Sequence, residues 1–421
     1  MTTRLMYLAN SRLPTEKAHG LQISRMCEAF AASGADVLLV HPHRHQVNAA
    51  LRGRSVFDYY GVRPAFEVRM LPNWDVVPLE RFLPGGVSAG LSVAQAVGWG
   101  LYAAVYAAHE AADLYYTRDV EVAFWLTRLG LPTALEIHAV PRKARRALLR
   151  RVVCHRALRL MVTLTSFSRD RLLALGVPKN DIVILPDGVD LALFDDLPDK
   201  GECRRQLGLP LDRSIIGYVG RFQTLGREKG IPDLVRAVAG LRVEGREPLL
   251  LCVGGPMDVV PEYMALAERH GVPAHRLRFV DHVPASQVPY WIRACDVATL
   301  PLPWEEHYAY FSSPLKIFEY MAAEVPIVTT SLPAVQEVVR HGETGWLVEP
   351  GSATALGDGI ASVLRNPDVA LRMARRARQE VERYTWMRRV SSILHLSKPS
   401  RVESASLIGR HPQPDRPNTG H

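Results

Sequence analysis

At 421 residues, with 48% hydrophobic and 22% charged side chains, the chain is long enough for two domains with separate cores, and it is neither fibrous nor wholly disordered. A formal net charge of +8 points to anionic partners, among which nucleotide phosphates and anionic lipid fit better than nucleic acid, because no recognition-module pattern is present. The five cysteines (Cys27, Cys154, Cys203, Cys252, Cys295) are odd in number and lack metal-ligand spacing, which implies a reducing compartment, small core residues and no zinc site.

No charged and apolar leader opens the chain, so a cytoplasmic protein is expected. An apolar strand over 5–9, a polar loop, a helix opened by Gly20 and closed by Gly34, and a second strand over 37–40 begin a doubly wound parallel sheet. Such sheets bind ligands at the carboxyl ends of their strands, so Lys17, His19 and Gly20 are candidate acceptor or phosphate contacts, against the plainer reading of a solvated turn. Strands follow near 68–71, 114–117, 134–137, 161–164 and 182–185. Residues 83–108 carry no charge and are long enough to test as a membrane span, but Ala and Gly dominate, Pro84 and two glycines break the start, and sheet strands flank it. A buried or interfacial helix is expected there. His138 ends the strand at 134–137, at the edge where a cleft would lie, and can steer a diphosphate or a hydroxyl. From 142 to 159 there are eight Lys or Arg residues, and no acidic residue occurs between 137 and 169. At helical spacing Arg142, Lys143, Arg146 and Arg150 share a face, Ala144, Leu148 and Val152 lie broadly opposite, and Leu149 and Val153 project among the basic side chains. That pattern suits an anionic membrane surface; a basic helix serving solubility or docking a protein is the alternative.

The turn Pro186-Asp187-Gly188-Val189-Asp190 closes the first series, with Gly188 permitting the turn. The charged, Pro-rich stretch 195–213 reads as a linker with a short helix. A second series opens with a strand from 215 that empties into a loop at Gly220-Arg221, and Lys229-Gly230 precedes a helix near Pro232. A strand over 249–253 runs into Gly254-Gly255, where a ligand could approach the backbone closely. Strands at 277–280, 297–300, 327–330 and 346–348 complete a second sheet. Within 312–330, Ser313 is a good N-cap and Pro314 suits the first helical position, which leaves the free amides and positive dipole end of a helix to a phosphate. Lys316 and Glu319 share a face, the cation for phosphate and the carboxylate one turn deeper for paired ribose hydroxyls; an amphipathic core helix with a surface ion pair is the plainer alternative.

The run 312–351, with Glu319, Met321-Ala322-Ala323, Pro326-Ile327-Val328, Glu337, Gly342-Glu343-Thr344-Gly345 and Val348-Glu349-Pro350-Gly351, resembles the donor-site signature of family-4 (group 1) glycosyltransferases. His138, Ser166 and the 186–190 run resemble further landmarks, and the resemblance extends over roughly 5–384. It implies a GT-B arrangement, an α/β fold of two doubly wound Rossmann-like domains facing across a cleft. The parts would be an acceptor-side domain over 1–195, a linker over 196–213, a nucleotide-sugar-binding domain over 214–375, a crossover helix over 376–396 and a disordered tail over 397–421. It also implies retaining transfer of a sugar from a nucleotide-sugar donor to a hydroxyl acceptor, lipid-linked or glycan, with no metal or other cofactor and no nucleic acid. Arg221, Lys229, Gly254, Gly255, Ser312, Ser313, Lys316 and Glu319 would bind the donor, with His138 as the catalytic orienting group. The signature's first glutamate is Phe311 here. A non-catalytic nucleotide-sugar-binding homologue, or an epimerase or phosphorylase on the same fold, is the alternative.

Overall fold

The computed structural model describes residues 2–76, 85–139, 141, 144–178, 182–224 and 226–398. Short apolar runs become strands β1 (Arg4–Leu8), β2 (Asp36–Pro42), β3 (Glu67–Leu71), β4 (Leu114–Thr117), β5 (Thr133–Ile137), β6 (Leu158–Thr163) and β7 (Ile182–Ile184). They form a seven-stranded sheet in the order β3-β2-β1-β4-β5-β6-β7, every pair parallel. The second half repeats the plan with β8 (Ile215–Val219), β11 (Leu249–Val253), β12 (Leu277–Val280), β13 (Val297–Leu300), β14 (Ile327–Thr330) and β15 (Trp346–Val348), a parallel six-stranded sheet in the order β12-β11-β8-β13-β14-β15. A small antiparallel ribbon, β9 (Gln223–Thr224) with β10 (Arg227–Glu228), is a pairing that the hydrophobic pattern does not announce. In both sheets the order reverses beside the first strand, β1 lying between β2 and β4 and β8 between β11 and β13. Connections leaving a switch point on opposite faces open a crevice at the carboxyl ends of the strands.

Alternation along β1 sends Leu5 and Tyr7 to one core and Met6 and Leu8 to another, so both faces need helices. Ala18–Ala32 and Trp386–Leu396 cover the first face, while Gly85–His109, Val120–Arg128 and Ala144–Val153 lie side by side on the second. Ala144–Val153 differs from its expected orientation. Leu149 and Val153 are buried with Val152 against Leu135, Ile137 and Met161, since covering the sheet gains about 1.5–3 kcal/mol per large apolar side chain. Arg146 and Arg150 stay exposed, and Arg142 and Lys143 lie outside the described residues. Gly85–His109 buries Trp99, Ala103, Ala104 and Ala107 but leaves its other side open. Four cysteines are buried as expected; Cys154 is exposed.

The 196–213 segment is tied to the second sheet, because Asp296 pairs with both Lys200 and Arg204 of the helix Lys200–Gln206. The crossover expected as one helix over 376–396 is two, Pro367–Glu380 and Trp386–Leu396, because Thr385 turns extended to pair with Val189 and then caps the second helix. Here Gly188 is a matter of close approach and not of turn geometry: a Cβ would stand 2.7 Å from the Trp386 nitrogen. The tail expected beyond 397 lies, from 399 on, outside the described residues.

Arg389 fixes the returning helix to the first sheet. Its Nη2 lies 2.8 Å from Oε2 of the fully buried Glu136 on β5, and its Nη1 donates to the carbonyls of Leu185 and Pro186. Removing one partner of a buried ion pair leaves the other charge desolvated and uncompensated. Arg389→Leu is therefore expected to lower the unfolding free energy by about 3–5 kcal/mol in a urea titration, and Arg389→Leu/Glu136→Leu to recover part of the loss. A single-variant loss under about 1 kcal/mol would contradict this role.

Candidate functional site

The carboxyl ends of the two sheets face each other across a cleft of about 450 Å³. From the first sheet it receives the loop after β1 with Lys17 and His19, Arg118 after β4, His138 after β5 and Asp187 after β7. From the second come Gly220 and Arg221 after β8, Lys229 beyond the ribbon, Gly254 after β11, His282 after β12, and the 307–319 segment after β13. Each group follows a strand, which is why residues far apart in sequence meet.

On the second-sheet side the helix Leu315–Ala322 aims its first turn at the cleft. Ile317, Phe318 and Met321 bury its inner face, and the Tyr320 hydroxyl locks it to the end of β8 by accepting from the Val219 amide at 3.0 Å. Lys316 and Glu319, three residues apart, both line the cleft. The helix starts one residue later than its sequence suggests. Pro314 occupies the cap position, and Ser313 accepts the Asp187 amide at 2.9 Å through its hydroxyl, so the expected N-cap is spent on joining the two halves. Ser312, also at the cleft, donates to the Tyr308 carbonyl at 3.1 Å.

Three cations converge here. Lys229 Nζ donates to the Tyr308 hydroxyl at 2.6 Å, Lys316 Nζ lies 5.7 Å from the Tyr218 ring centre, and Arg221 Nε donates to the Gln223 carbonyl at 3.3 Å. Among the described residues none of them forms an ion pair within 4.0 Å. Burial, with repulsion from Lys316, draws the Lys229 pKa down to about 8; burial also lowers that of Lys316. Burial pushes Glu319 up to about 7 in spite of Lys316 and Arg25. A pocket that destabilises its own cations is poised for an anion. Gly254 lines it with φ +131°, and a Cβ there would meet the Gly220 carbonyl carbon at 2.6 Å, so the two strand ends touch backbone to backbone. Gly255 is outside the lining; its carbonyl accepts the Phe222 amide at 2.7 Å and shapes the turn.

On the first-sheet side His138 is bonded through Nε2 to Glu136 Oε1, and Gln22 Nε2 donates to the same oxygen at 2.7 Å. Burial alone would protonate Glu136, but Arg389 and His138 hold its pKa well below the carboxylate range. An ionised carboxylate only accepts, so Nε2 carries the proton of His138 and Nδ1 keeps its lone pair. Burial and Arg118 bring the His138 pKa down to about 4, and burial with Arg118 brings His19 to about 3. Gly20 does not reach the cleft. The helix Ala18–Ala32 starts before it, and a Cβ would collide with the Tyr60 hydroxyl, which donates to the Thr15 carbonyl at 2.7 Å. Phe311 lines the cleft as an apolar wall beneath the Arg171 guanidinium, 5.6 Å from its ring centre.

Two of the cleft residues that the sequence reading did not single out are charged and central. Arg118 donates to Gln22 Oε1 at 2.6 Å, and Asp187 is buried with an unpartnered Oδ1 and a pKa pushed up to about 6 by burial. Both follow strands as His138 does, so the edge-of-sheet rule applied to β4 and β7 would have found them. The halves also meet where Tyr59 stacks on His282 at 5.5 Å and where the Ser166 amide donates to Glu337 at 3.1 Å.

Residues 213–366 match the family model for glycosyl transferases group 1. D-inositol 3-phosphate glycosyltransferase of Corynebacterium glutamicum is 30% identical over 212 residues, 49% of this chain and 48% of the relative. The enzyme of that name from Thermobispora bispora is 28% identical over 286 residues, 62% and 64% of the two chains. The chain thus spans about half the length of several of the relatives it matches. Among solved structures, Anabaena HepE in complex with UDP superposes with a TM-score of 0.67 at 18% identity, covering 93% of this chain and 98% of that one. Sucrose-phosphate synthase from Thermosynechococcus elongatus gives 0.68 at 20% identity, covering 96% and 100%. These likenesses establish the GT-B fold.

With its proton on Nε2 and its pKa near 4, His138 is expected to give flat ¹⁵N shifts of one neutral tautomer between pH 8 and about 5. Titration near pH 6.5 would contradict the arrangement.

Proposed function

We propose that this chain, which carries a group 1 glycosyl transferase domain on a GT-B frame, moves a sugar from a nucleotide-sugar donor to a hydroxyl acceptor with retention of configuration and without a metal. The carrying observation is the set of Arg221, Lys229 and Lys316 around the start of the helix Leu315–Ala322, with Glu319 one turn deeper. A diphosphate fits the cations and helix end, and Glu319 suits the paired hydroxyls of a ribose. As the sugar–phosphate bond breaks, negative charge grows on the leaving diphosphate, and prearranged cations stabilise it without reorganisation. On this reading they take the charge-neutralising part that a bound metal ion could otherwise play, so chelation should leave turnover unchanged.

Across the cleft, Nδ1 of His138 is an acceptor suited to orienting the incoming hydroxyl while the leaving phosphate takes its proton. Lys17, His19 and Arg118 make that side attractive to a phosphate-bearing acceptor, in keeping with a lipid-linked or glycan substrate. The exposed Arg146 and Arg150 favour work at the cytoplasmic face of an anionic membrane. HepE has been seen with UDP, and UDP-sugars are the first donors to test. Phe311, in place of a carboxylate, favours the second reading of a nucleotide-sugar binder without transfer; slow hydrolysis of the donor in the absence of acceptor counts against it.

Arg221→Ala, Lys229→Ala and Glu319→Ala should each lower kcat/KM about ten- to a hundredfold, the equivalent of about 1.5–3 kcal/mol per lost charge-assisted contact, with unchanged circular dichroism. Near-normal turnover in all three would locate the donor elsewhere. Lys229 also sets a pH dependence. With its pKa near 8 it is charged below that value, so its contribution to UDP affinity is complete at pH 7 and is lost as pH rises, by up to tenfold per unit. Arg stays charged throughout, so the ratio of wild-type to Lys229→Arg affinity isolates this group from Glu319. Calorimetric profiles of identical shape would contradict the assignment.

A further inference from the structure

We propose that the helix layer of Gly85–His109, Val120–Arg128 and Ala144–Val153 docks on an anionic lipid bilayer, with the first helix entering the acyl boundary and the last meeting the headgroups. This rests on the membrane reading above and supplies the apolar half that the basic helix lacks, since Leu149 and Val153 are buried.

A helix that covers a sheet normally carries charge on its outer side. Gly85–His109 does not. Val87, Ala94, Leu101 and Val105, at helical spacing, are exposed, with Val93 and Tyr102 beside them, and no Asp, Glu, Lys or Arg occurs anywhere in its 25 residues. Leu101, Tyr102 and Val105 are 41%, 45% and 41% exposed, although Trp99, Ala103 and Ala104 one step round are in the core. Among the described residues, Gly90–His109 is the stretch long and apolar enough to cross a membrane, yet its inner side is committed to the sheet. It can lie along a bilayer but not cross one while the fold is intact. Trp74 stands 61% exposed at its flank, where Asn73 accepts from Gln95 at 2.8 Å, and tryptophan favours the headgroup level.

Charge selects the occupant. Next in the layer, the Arg128 guanidinium lies 5.4 Å from the Phe124 ring centre, and beyond it Arg146, Arg150 and Arg151 are exposed. The three helices hold a single acidic residue, Glu121, which is buried and paired with Arg145. An uncharged stripe grading into unopposed arginines matches a surface apolar below and anionic above. A second copy of the same layer would bring arginines against arginines.

The test floats the full chain with vesicles of phosphatidylcholine alone or mixed with phosphatidylglycerol. Wild type should rise with the mixed vesicles only. Arg146→Glu/Arg150→Glu should weaken this about tenfold or more, and Leu101→Asp/Val105→Asp should abolish it, with UDP thermal shifts unchanged in both because neither pair touches the cleft. Brominated lipid should quench wild-type fluorescence more than that of Trp74→Phe, a readout that needs no destabilising change. Failure of UDP binding in wild type would count against the donor reading alone. Absence of flotation, indifference to lipid charge, or full flotation of Leu101→Asp/Val105→Asp would overturn the docking face. So would a dimer dispersed by that variant in a protein that does not float.

Discussion

The Glu136–Arg389 ion pair is the interaction on which the rest of the molecule depends. A carboxylate with no exposure to water survives ionised because a guanidinium, an imidazole, an amide and a phenol all address it. Its two oxygens serve different ends. One holds the helix that returns from the second half of the chain; the other holds His138 in a single tautomer at the edge of the cleft. Loss of the charge would release both at once, so the position of one half on the other and the orientation of the imidazole are physically one constraint.

The opposite wall follows the reverse logic. Arg221, Lys229 and Lys316 are brought together with no ion pair within 4.0 Å among the described residues, and burial weakens the hold of the two lysines on their protons. The free protein bears that repulsion because the side chains are carried on elements anchored in a buried core that includes Phe318, Tyr320 and the strands beneath. On the proposed reading an anion entering the cleft would relieve it, and selectivity for a diphosphate over a neutral ligand would follow from these charges. Glu319, whose pKa burial raises to about 7, would then gain acceptor strength as it ionises beside Lys316.

The sequence made the frame legible because parallel strands buried on both faces are unbroken apolar runs, and their order fixed where loops such as 220–221 and 254–255 would gather. It made Lys316 and Glu319 legible through helical spacing, and family resemblance supplied their roles. The cap was misread because Ser313 has a competing partner, the Asp187 amide, 126 residues away. Gly20, Gly188 and Gly255 were misread for a related reason: each answers a neighbour distant in sequence, Tyr60, Trp386 and Asp281, which no local pattern reveals. Leu149 was assigned to the wrong side of its helix because the basic residues surround it, and only the sheet beneath decides which face turns in.

The proposed function requires one nucleoside diphosphate to lie with its phosphates at the Leu315–Ala322 helix start and its ribose on Glu319. A crystal structure of the full chain soaked with UDP tests this most directly. The distal phosphate is expected among Arg221, Lys229 and Lys316, and the ribose hydroxyls within hydrogen-bond distance of Glu319. Density for the diphosphate on the Arg118 side, or a ribose remote from Glu319, would contradict it.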